Sequence, residues 1–168
     1  MIQGLLIGLL ASSGIWLDVP FVHQTEKGCG SAVVWMVLQY WSSQEPRIEA
    51  RISLEQIHGT LYSEDKGGVS TTDMELFFRN LNFRTFSFQG KWPDLEHHLA
   101  QGRPVIVCLK PNGRNVPLHY VAVTGLDRNQ NVVLVNDPAG RKLQKVDRAN
   151  FERQWQSADN WTLLVVPQ

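Results

Sequence analysis

The hydrophobic pattern changes character part-way along the chain. Up to about residue 102 the apolar residues come in helical blocks, and the block at 31–38 (SAVVWMVL) leaves almost no polar face. A helix that is apolar on all sides belongs inside a core. We therefore predict a buried helix that begins at Cys29 and ends near Trp41, where a polar stretch follows.

Capping signals predict where three further helices begin. Two Ser or Thr residues are followed three positions later by Gln or Glu, which is the capping-box spacing. These pairs are Ser53 with Gln56 and Thr72 with Glu75. Pro93 marks a first helical turn, and Gly102 ends that short helix. We therefore expect helices over 53–62, 72–81 and 93–101.

Short runs rich in β-branched and aromatic residues predict the strands. One covers 83–88, and the others follow residue 102, at 103–110, 119–126, 132–136, 143–146 and 161–166. Asp147 is expected to cap a helix between the last two. Helices followed by an antiparallel sheet make the class α+β. We predict one domain over 15–168, in which the central buried helix of an N-terminal helical part packs on a C-terminal antiparallel sheet.

Residues 1–14 have two interpretations. The apolar run at 2–11 has the length of a signal-peptide core and is too short to span a membrane. The other interpretation is an N-terminal helix packed on the domain, although three glycines make a poor helix. With cleavage the protein is exported or extracytoplasmic and keeps no stable membrane association; otherwise it is cytoplasmic.

Charge and cysteine content exclude several classes of protein. Sixteen basic and sixteen acidic residues balance, and no Lys/Arg cluster indicates a nucleic-acid partner. The two cysteines, Cys29 and Cys108, have no metal-binding spacing, so we expect neither a metal nor a cofactor. Cys108 lies in an apolar strand (PVIVCLK) and is interpreted as a core residue. Nothing here indicates an oligomeric state.

Cys29 is the candidate nucleophile, and His119 is the candidate base. Free N–H groups and the dipole at a helix start favour a thiolate. Of the five histidines, His119 begins a strand directly after a polar loop, where catalytic groups are often held. The others lie in helices or too close to Cys29 along the chain, at positions 23, 58, 97 and 98.

A predicted hairpin brings Asp137 towards His119. If 119–126 pairs with 132–137 and Leu126 lies opposite Val132, Asp137 lies opposite Val121, two residues from His119. A slip of two residues would put Asp137 and His119 directly opposite each other. The carboxylate can thus orient the imidazole.

Gln24 is the candidate oxyanion donor, since it lies in the loop before the Cys29 helix. Gly28 and Gly30 would permit a tight turn and a close approach of substrate to backbone. Each of these residues alone has a structural explanation, because buried cysteines, strand histidines and Asp-Pro turns are common. Their order along the chain is the more specific signal.

Several blocks resemble a C39-type cysteine peptidase domain, a branch of the papain-like fold. They are Gln24 through Cys29-Gly30 to Trp41, then Gly68-Val69-Ser70, Gly102-Arg103-Pro104, His119-Tyr120-Val121 and Asn136-Asp137-Pro138. Gly28 stands where bacteriocin-processing members often have an acidic residue, and the Gln-to-Cys interval is one residue shorter. A stand-alone C39-like protein is therefore the closer match.

The resemblance implies a thiol peptidase that acts on a peptide or protein. Cys29 would be the nucleophile, His119 the base, Asp137 its orienting partner and Gln24 the oxyanion residue, with a thioester intermediate and no cofactor. Two alternatives remain open on the same site. One is an acyltransferase of the papain-like fold, and the other is a peptide-binding module without turnover.

Overall fold

Helices and strands alternate more than the sequence predicts. The structure, a computed structural model, describes residues 14–48, 51–113 and 115–168. Within them the helices are α1 (Cys29–Gln44), α2 (Leu54–Leu61), α3 (Thr71–Asn80), α4 (Trp92–Ala100) and α5 (Arg148–Gln156). The strands are β1 (Gly14–Trp16), β2 (Tyr62–Ser63), β3 (Gly68–Val69), β4 (Phe83–Gln89), β5 (Val105–Leu109), β6 (His119–Asp127), β7 (Val132–Asn136), β8 (Gln144–Asp147) and β9 (Trp161–Pro167).

One antiparallel sheet organises the described chain, with strand order β4-β9-β5-β6-β7-β8. The first strand, β1, pairs with the far half of β6, so β6 carries partners along its whole length. Strands β2 and β3 form a separate small hairpin. Gly14 begins β1, and residues 1–13, which contain the apolar run at 2–11, lie outside the described residues. Its assignment as a signal peptide stays a prediction.

The sheet is covered on both faces. Alternate residues of β5 belong to different cores: Ile106 and Cys108 pack with α1, α2 and α3, whereas Val105 and Val107 pack with α4 and α5. The sequence predicts only the first of these layers. Every residue of β5 is buried, as is typical of a strand with helices on both sides.

Helix α1 is the buried helix that its sequence predicts. Residues from Gly30 to Leu38 are buried apart from Trp35. Its far end is anchored by two hydrogen bonds: Tyr40 Oη donates to Gly102 O at 2.7 Å, and Trp41 Nε1 donates to Val165 O at 3.0 Å. Its first residue, Cys29, is therefore held at the sheet by the packing of the whole helix.

Two of the three predicted caps are confirmed. Ser53 and Gln56 form the capping box of α2, and Asp147 accepts from Asn150 N at the start of α5. The cap predicted at Thr72 is wrong. Ser70 caps α3 instead, because its hydroxyl accepts from Asp73 N at 3.2 Å and α3 begins one residue later, at Thr71.

In the β6–β7 hairpin, one of the two predicted residue pairs is wrong and the other is correct. Near the turn Leu126 pairs with Val133, one residue from the predicted partner. The register then shifts between Val123 and Gly125, which leaves Thr124 as an extra residue on β6. Beyond this bulge Ala122 pairs with Asn136, so the chain continues with Asp137 opposite Val121 as predicted.

Gly125 allows the bulge to sit under β1. A Cβ at this position would lie 2.5 Å from Ile15 O and 2.9 Å from Trp16 Cα, so no side chain fits. Leu17 N donates to Thr124 O at 2.7 Å, which ties the bulge to the incoming chain. No helix among the described residues is long and apolar enough to cross a membrane.

Candidate active site

Cys29 is the first residue of α1 and is partly exposed. Gly28 precedes it without a side-chain cap, so the positive end of the helix dipole acts on the thiol. A Cβ on Gly28 would lie 2.6 Å from Thr25 Oγ1, which explains why the turn into the helix needs glycine. Gly30 has a different function from the predicted one: a Cβ there would lie 2.6 Å from Val69 Cβ, so it allows close packing with β3.

His119 and Asp137 are in direct contact. His119 Nε2 lies 2.7 Å from Asp137 Oδ1, and both side chains are largely buried, at 18% and 19% exposure. The same Oδ1 accepts from Ala139 N at 2.9 Å, and Gly140 N donates to Asp137 O at 2.9 Å. The carboxylate is therefore fixed in a tight turn and turned towards the imidazole.

The pKa values of Cys29, His119 and Asp137 are shifted by their mutual contacts. Burial raises the pKa of Cys29, but hydrogen bonds from His119 and from Tyr120 N–H outweigh it, and the net pKa is lowered. Burial lowers the pKa of His119, yet hydrogen bonds to Asp137 and Cys29 bring it to about 9. For Asp137 burial is again outweighed, by His119, and the pKa is lowered. Cys29 and His119 therefore each stabilise the charged form of the other, the thiolate and the imidazolium.

Cys108 lies close to this site but has opposite properties. It is 3% exposed, and burial together with the charge of Cys29 raises its pKa to about 12. Its prediction as a core residue is confirmed. A thiol with such a pKa is inert at neutral pH.

Gln24, in the loop before α1, lies in the same site as Cys29, His119 and Asp137. Its backbone N–H donates to Pro138 O at 3.0 Å, which ties this loop to the residue after Asp137. The side-chain Oε1 is buried without a hydrogen-bond partner. This oxygen can only accept a hydrogen bond, whereas Nε2 of the same amide is the atom that would donate to an oxyanion.

Asn136 also holds this loop in place, a function that was not predicted from the sequence. Fully buried, it donates from Nδ2 to Val19 O at 3.1 Å and accepts from Leu143 N at 3.0 Å. It thus links the segment that leads to Gln24 with the end of β7, directly before Asp137. A polar residue between an apolar strand and Asp-Pro is the signal that could have identified it.

These residues line one cleft of about 680 Å³. We call one side the helix wall; it comprises Gln24, Lys27, Cys29 and residues 66–69. The strand wall comprises Pro111, residues 116–120, Asp137 and Ala139. The cleft thus brings together all four predicted site residues. Among the described residues, no group of three or more His, Cys, Asp or Glu could hold a metal ion.

The other histidines are outside this cleft. His58 lies 3.2 Å from Ser31 Oγ through its Nδ1 and stacks on Tyr62. His97 is exposed on α4 beside His98, and His23 is exposed before Gln24. Among the aromatic residues, Tyr120 lines the cleft, whereas Trp92 is in the core and Phe86 lies on β4, outside the cleft.

A model of the Peptidase_C39 like family matches residues 16–162. The chain belongs to this family. The resemblance identified in the sequence is thereby confirmed over nearly the whole described chain. Comparison with curated protein sequences found no significant match.

Solved structures of C39 peptidases have the same fold as this C39-like protein. A double glycine motif protease from an AMS/PCAT transporter, in complex with the leader peptide, superposes with a TM-score of 0.69 at 22% identity, over 91% of this chain and 94% of that one. A protein described as a C39-like peptidase from Bacillus anthracis gives 0.73 at 19% identity, over 92% and 98%. The peptidase domain of Streptococcus ComA, a bi-functional ABC transporter, gives 0.67 at 21% identity, over 88% and 97%.

The family and the fold together indicate the cysteine peptidase kind of protein. The predicted class, a papain-like α+β fold with a buried central helix against an antiparallel sheet, is confirmed. At identities of 17–22% these structures show a shared fold, but they do not show the functions of individual residues.

Proposed function

We propose that this C39-like protein hydrolyses peptide bonds, with Cys29 as nucleophile, His119 as base and acid, Asp137 as the group that orients His119, and Gln24 as an oxyanion donor. The observation that carries the proposal is the chain of contacts from Cys29 through His119 to Asp137, with the 2.7 Å bond at its far end. A structural cysteine needs neither a hydrogen-bonded imidazole nor a lowered pKa.

The first half of the reaction forms a thioester. The Cys29 thiolate attacks the carbonyl carbon of the scissile amide, and the carbonyl π electrons move to oxygen. The oxyanion accepts hydrogen bonds from the Gln24 amide and the Cys29 backbone N–H. When it collapses, the C–N bond breaks and the His119 imidazolium gives its proton to the leaving amine.

Hydrolysis of the thioester completes the cycle. Neutral His119 takes a proton from water, and the hydroxide oxygen attacks the thioester carbonyl. The C–S bond breaks, the carboxylic acid leaves, and the thiolate–imidazolium pair is restored. Asp137 keeps its charge throughout, since its function is to hold the ring and stabilise the imidazolium.

A peptide substrate suits the cleft. The open groove between the two walls carries apolar and polar groups side by side, as peptide-binding clefts do. The relative solved in complex with the leader peptide supports a peptide as the ligand class. The groove is large enough for several residues of an extended chain.

Replacing each cysteine in turn tests the proposal. Cys29→Ala should abolish peptide hydrolysis and covalent labelling by a thiol-directed electrophile such as iodoacetamide, while the circular dichroism spectrum and Tm stay near the wild-type values. Cys108→Ala is the matched control. It should keep turnover and labelling and lose about 1–2 kcal/mol of stability from the core.

Product analysis completes the test. Mass spectrometry of wild-type reactions should find two peptide fragments with a new carboxyl terminus. Labelling that persisted at full strength in Cys29→Ala would contradict the proposal. Fragments joined to an added amine, in place of free acid, would favour an acyltransferase instead.

A further inference from the structure

Among the described residues that line the cleft, one charged side chain has no partner. Asp137 is engaged with His119, and Lys66 Nζ lies 2.7 Å from Asp73 Oδ2. Lys27 lines the same cleft, two residues before Cys29, and makes no ion pair or side-chain hydrogen bond with any described residue. The helix wall therefore presents one uncompensated positive charge close to the nucleophile.

Lys27 also occupies an unusual backbone conformation. It is the third residue of a turn in which Gly28 N donates to Thr25 O at 3.0 Å, and its φ is +54°. Glycine or asparagine is preferred at such a position, since a side chain there is strained. Seven described non-glycine residues have a positive φ, and Lys27 is the one among them that lines the cleft.

The part of the strand wall that precedes His119 is apolar. Leu118, directly before His119, is 53% exposed, one of the large apolar side chains most accessible to solvent. Pro111, Val116 and Pro117 line the same side of the cleft. An aliphatic side chain of a bound peptide would cover this surface, whereas Lys27 on the other wall would attract a carboxylate.

We propose that Lys27 is a specificity-determining residue that selects peptides with an acidic residue close to the scissile bond, while Leu118 and its apolar neighbours contact an aliphatic residue of the same peptide. This inference rests on the proposed peptidase function. It assigns the substrate class to peptide segments in which an acidic and an aliphatic residue lie close to the scissile bond.

Cleavage of a mixed peptide pool tests the preference. The wild-type protein is incubated with peptides from a digested proteome, and the cleaved bonds are identified by mass spectrometry. We expect Asp and Glu to be enriched within three residues of the cleaved bonds. Matched synthetic peptides with Glu or Gln at that position should differ about threefold to tenfold in kcat/KM, less at high salt.

Three variants isolate the lysine. Lys27→Gln should equalise the matched peptides, and Lys27→Glu should favour a Lys peptide. Lys27→Gly should also lose the preference while raising Tm by about 2–4 °C, because the strain is relieved. Lys91→Gln, an exposed lysine outside the cleft, is the control with the same change in net charge and should behave as wild type.

The outcomes separate this inference from the proposed function. Cleavage of both matched peptides at equal rates, unchanged in Lys27→Gln, would overturn the substrate preference and leave the peptidase standing. If no peptide in the pool is cleaved or captured at Cys29, both proposals are wrong.

Discussion

The two walls of the cleft present their functional groups by different means. On the helix wall Cys29 is placed by local structure, as the first residue of a helix whose following residues are buried. On the strand wall His119 and Asp137 are 18 residues apart in sequence and meet through strand pairing with a bulge at Thr124. The helix wall depends on helix packing and the strand wall on strand register. Substitutions in the two walls should therefore affect hydrolysis and thiol reactivity differently.

Replacing His119 should lower kcat more than replacing Gln24 or Asn136, because it removes both the base and the charge that stabilises the thiolate. We expect His119→Ala to lower kcat by about 10²–10⁴-fold and to slow the alkylation of Cys29 at pH 7. Stopped assays with a peptide and with iodoacetamide measure both. His97→Ala, an exposed histidine on α4, is the matched control. Rapid alkylation of Cys29 in His119→Ala would show that the strand wall does not activate the thiol.

Gln24 should affect hydrolysis without affecting the thiol. Because an oxyanion forms during peptide cleavage and not during alkylation, Gln24→Ala should lower kcat by about 10²–10³-fold and leave the alkylation rate unchanged. Gln89→Ala on the exposed face of β4 serves as its control. An equal loss of both activities would mean that Gln24 supports the fold and not the oxyanion.

Asn136 joins the two walls, and we expect it to act through Gln24. Asn136→Ala leaves Val19 O and Leu143 N without their partners, which should cost about 1–3 kcal/mol of stability. It should also lower kcat about tenfold with little change in KM, through a displaced Gln24 loop.

A double variant distinguishes positioning from general damage. In Gln24→Ala the additional replacement of Asn136 should lower kcat no further, since the amide that it positions is already gone. If the tenfold loss persists in the double variant, Asn136 has a structural function alone.

The difference between local helix structure and long-range strand register also explains which features could be predicted from the sequence. Local signals were sufficient for α1, for the caps at Ser53 and Asp147, and for the placement of Cys29 at a helix start. The cap at Thr72 was wrong because Ser70 offered an equally good local signal and the structure uses it.

Register was predictable only in part. The pairing near the turn was off by one residue, and the bulge at Thr124 restored the predicted position of Asp137. Gly125 within an apolar strand is a known sign of a bulge or of close backbone approach. In this protein Gly125 is required by the close approach of β1, a long-range contact that no local sequence pattern encodes. The charge of Lys27 and the exposure of Leu118 likewise depend on the assembled cleft.

The pH dependence of activity follows from the pair of titrating groups. Turnover requires the thiolate and the imidazolium together, so kcat/KM should rise as Cys29 ionises below its ordinary pKa of 9.0 and fall as His119 loses its proton at about pH 9. Asp137→Asn should move the alkaline limb to lower pH, because the carboxylate is the chief cause of the raised pKa of His119. An unchanged alkaline limb would assign that titration to another group.

The most direct test of the account is the rate of Cys29 alkylation by iodoacetamide as a function of pH, in the wild type and in His119→Ala. Cys108 does not interfere, since its pKa of about 12 keeps it protonated. We predict that the alkylation rate of wild-type Cys29 rises at a pH below 9.0, with a second change near pH 9 as His119 deprotonates, and that His119→Ala shows one transition at higher pH. A single transition at the ordinary thiol value in both proteins would contradict the thiolate–imidazolium pair.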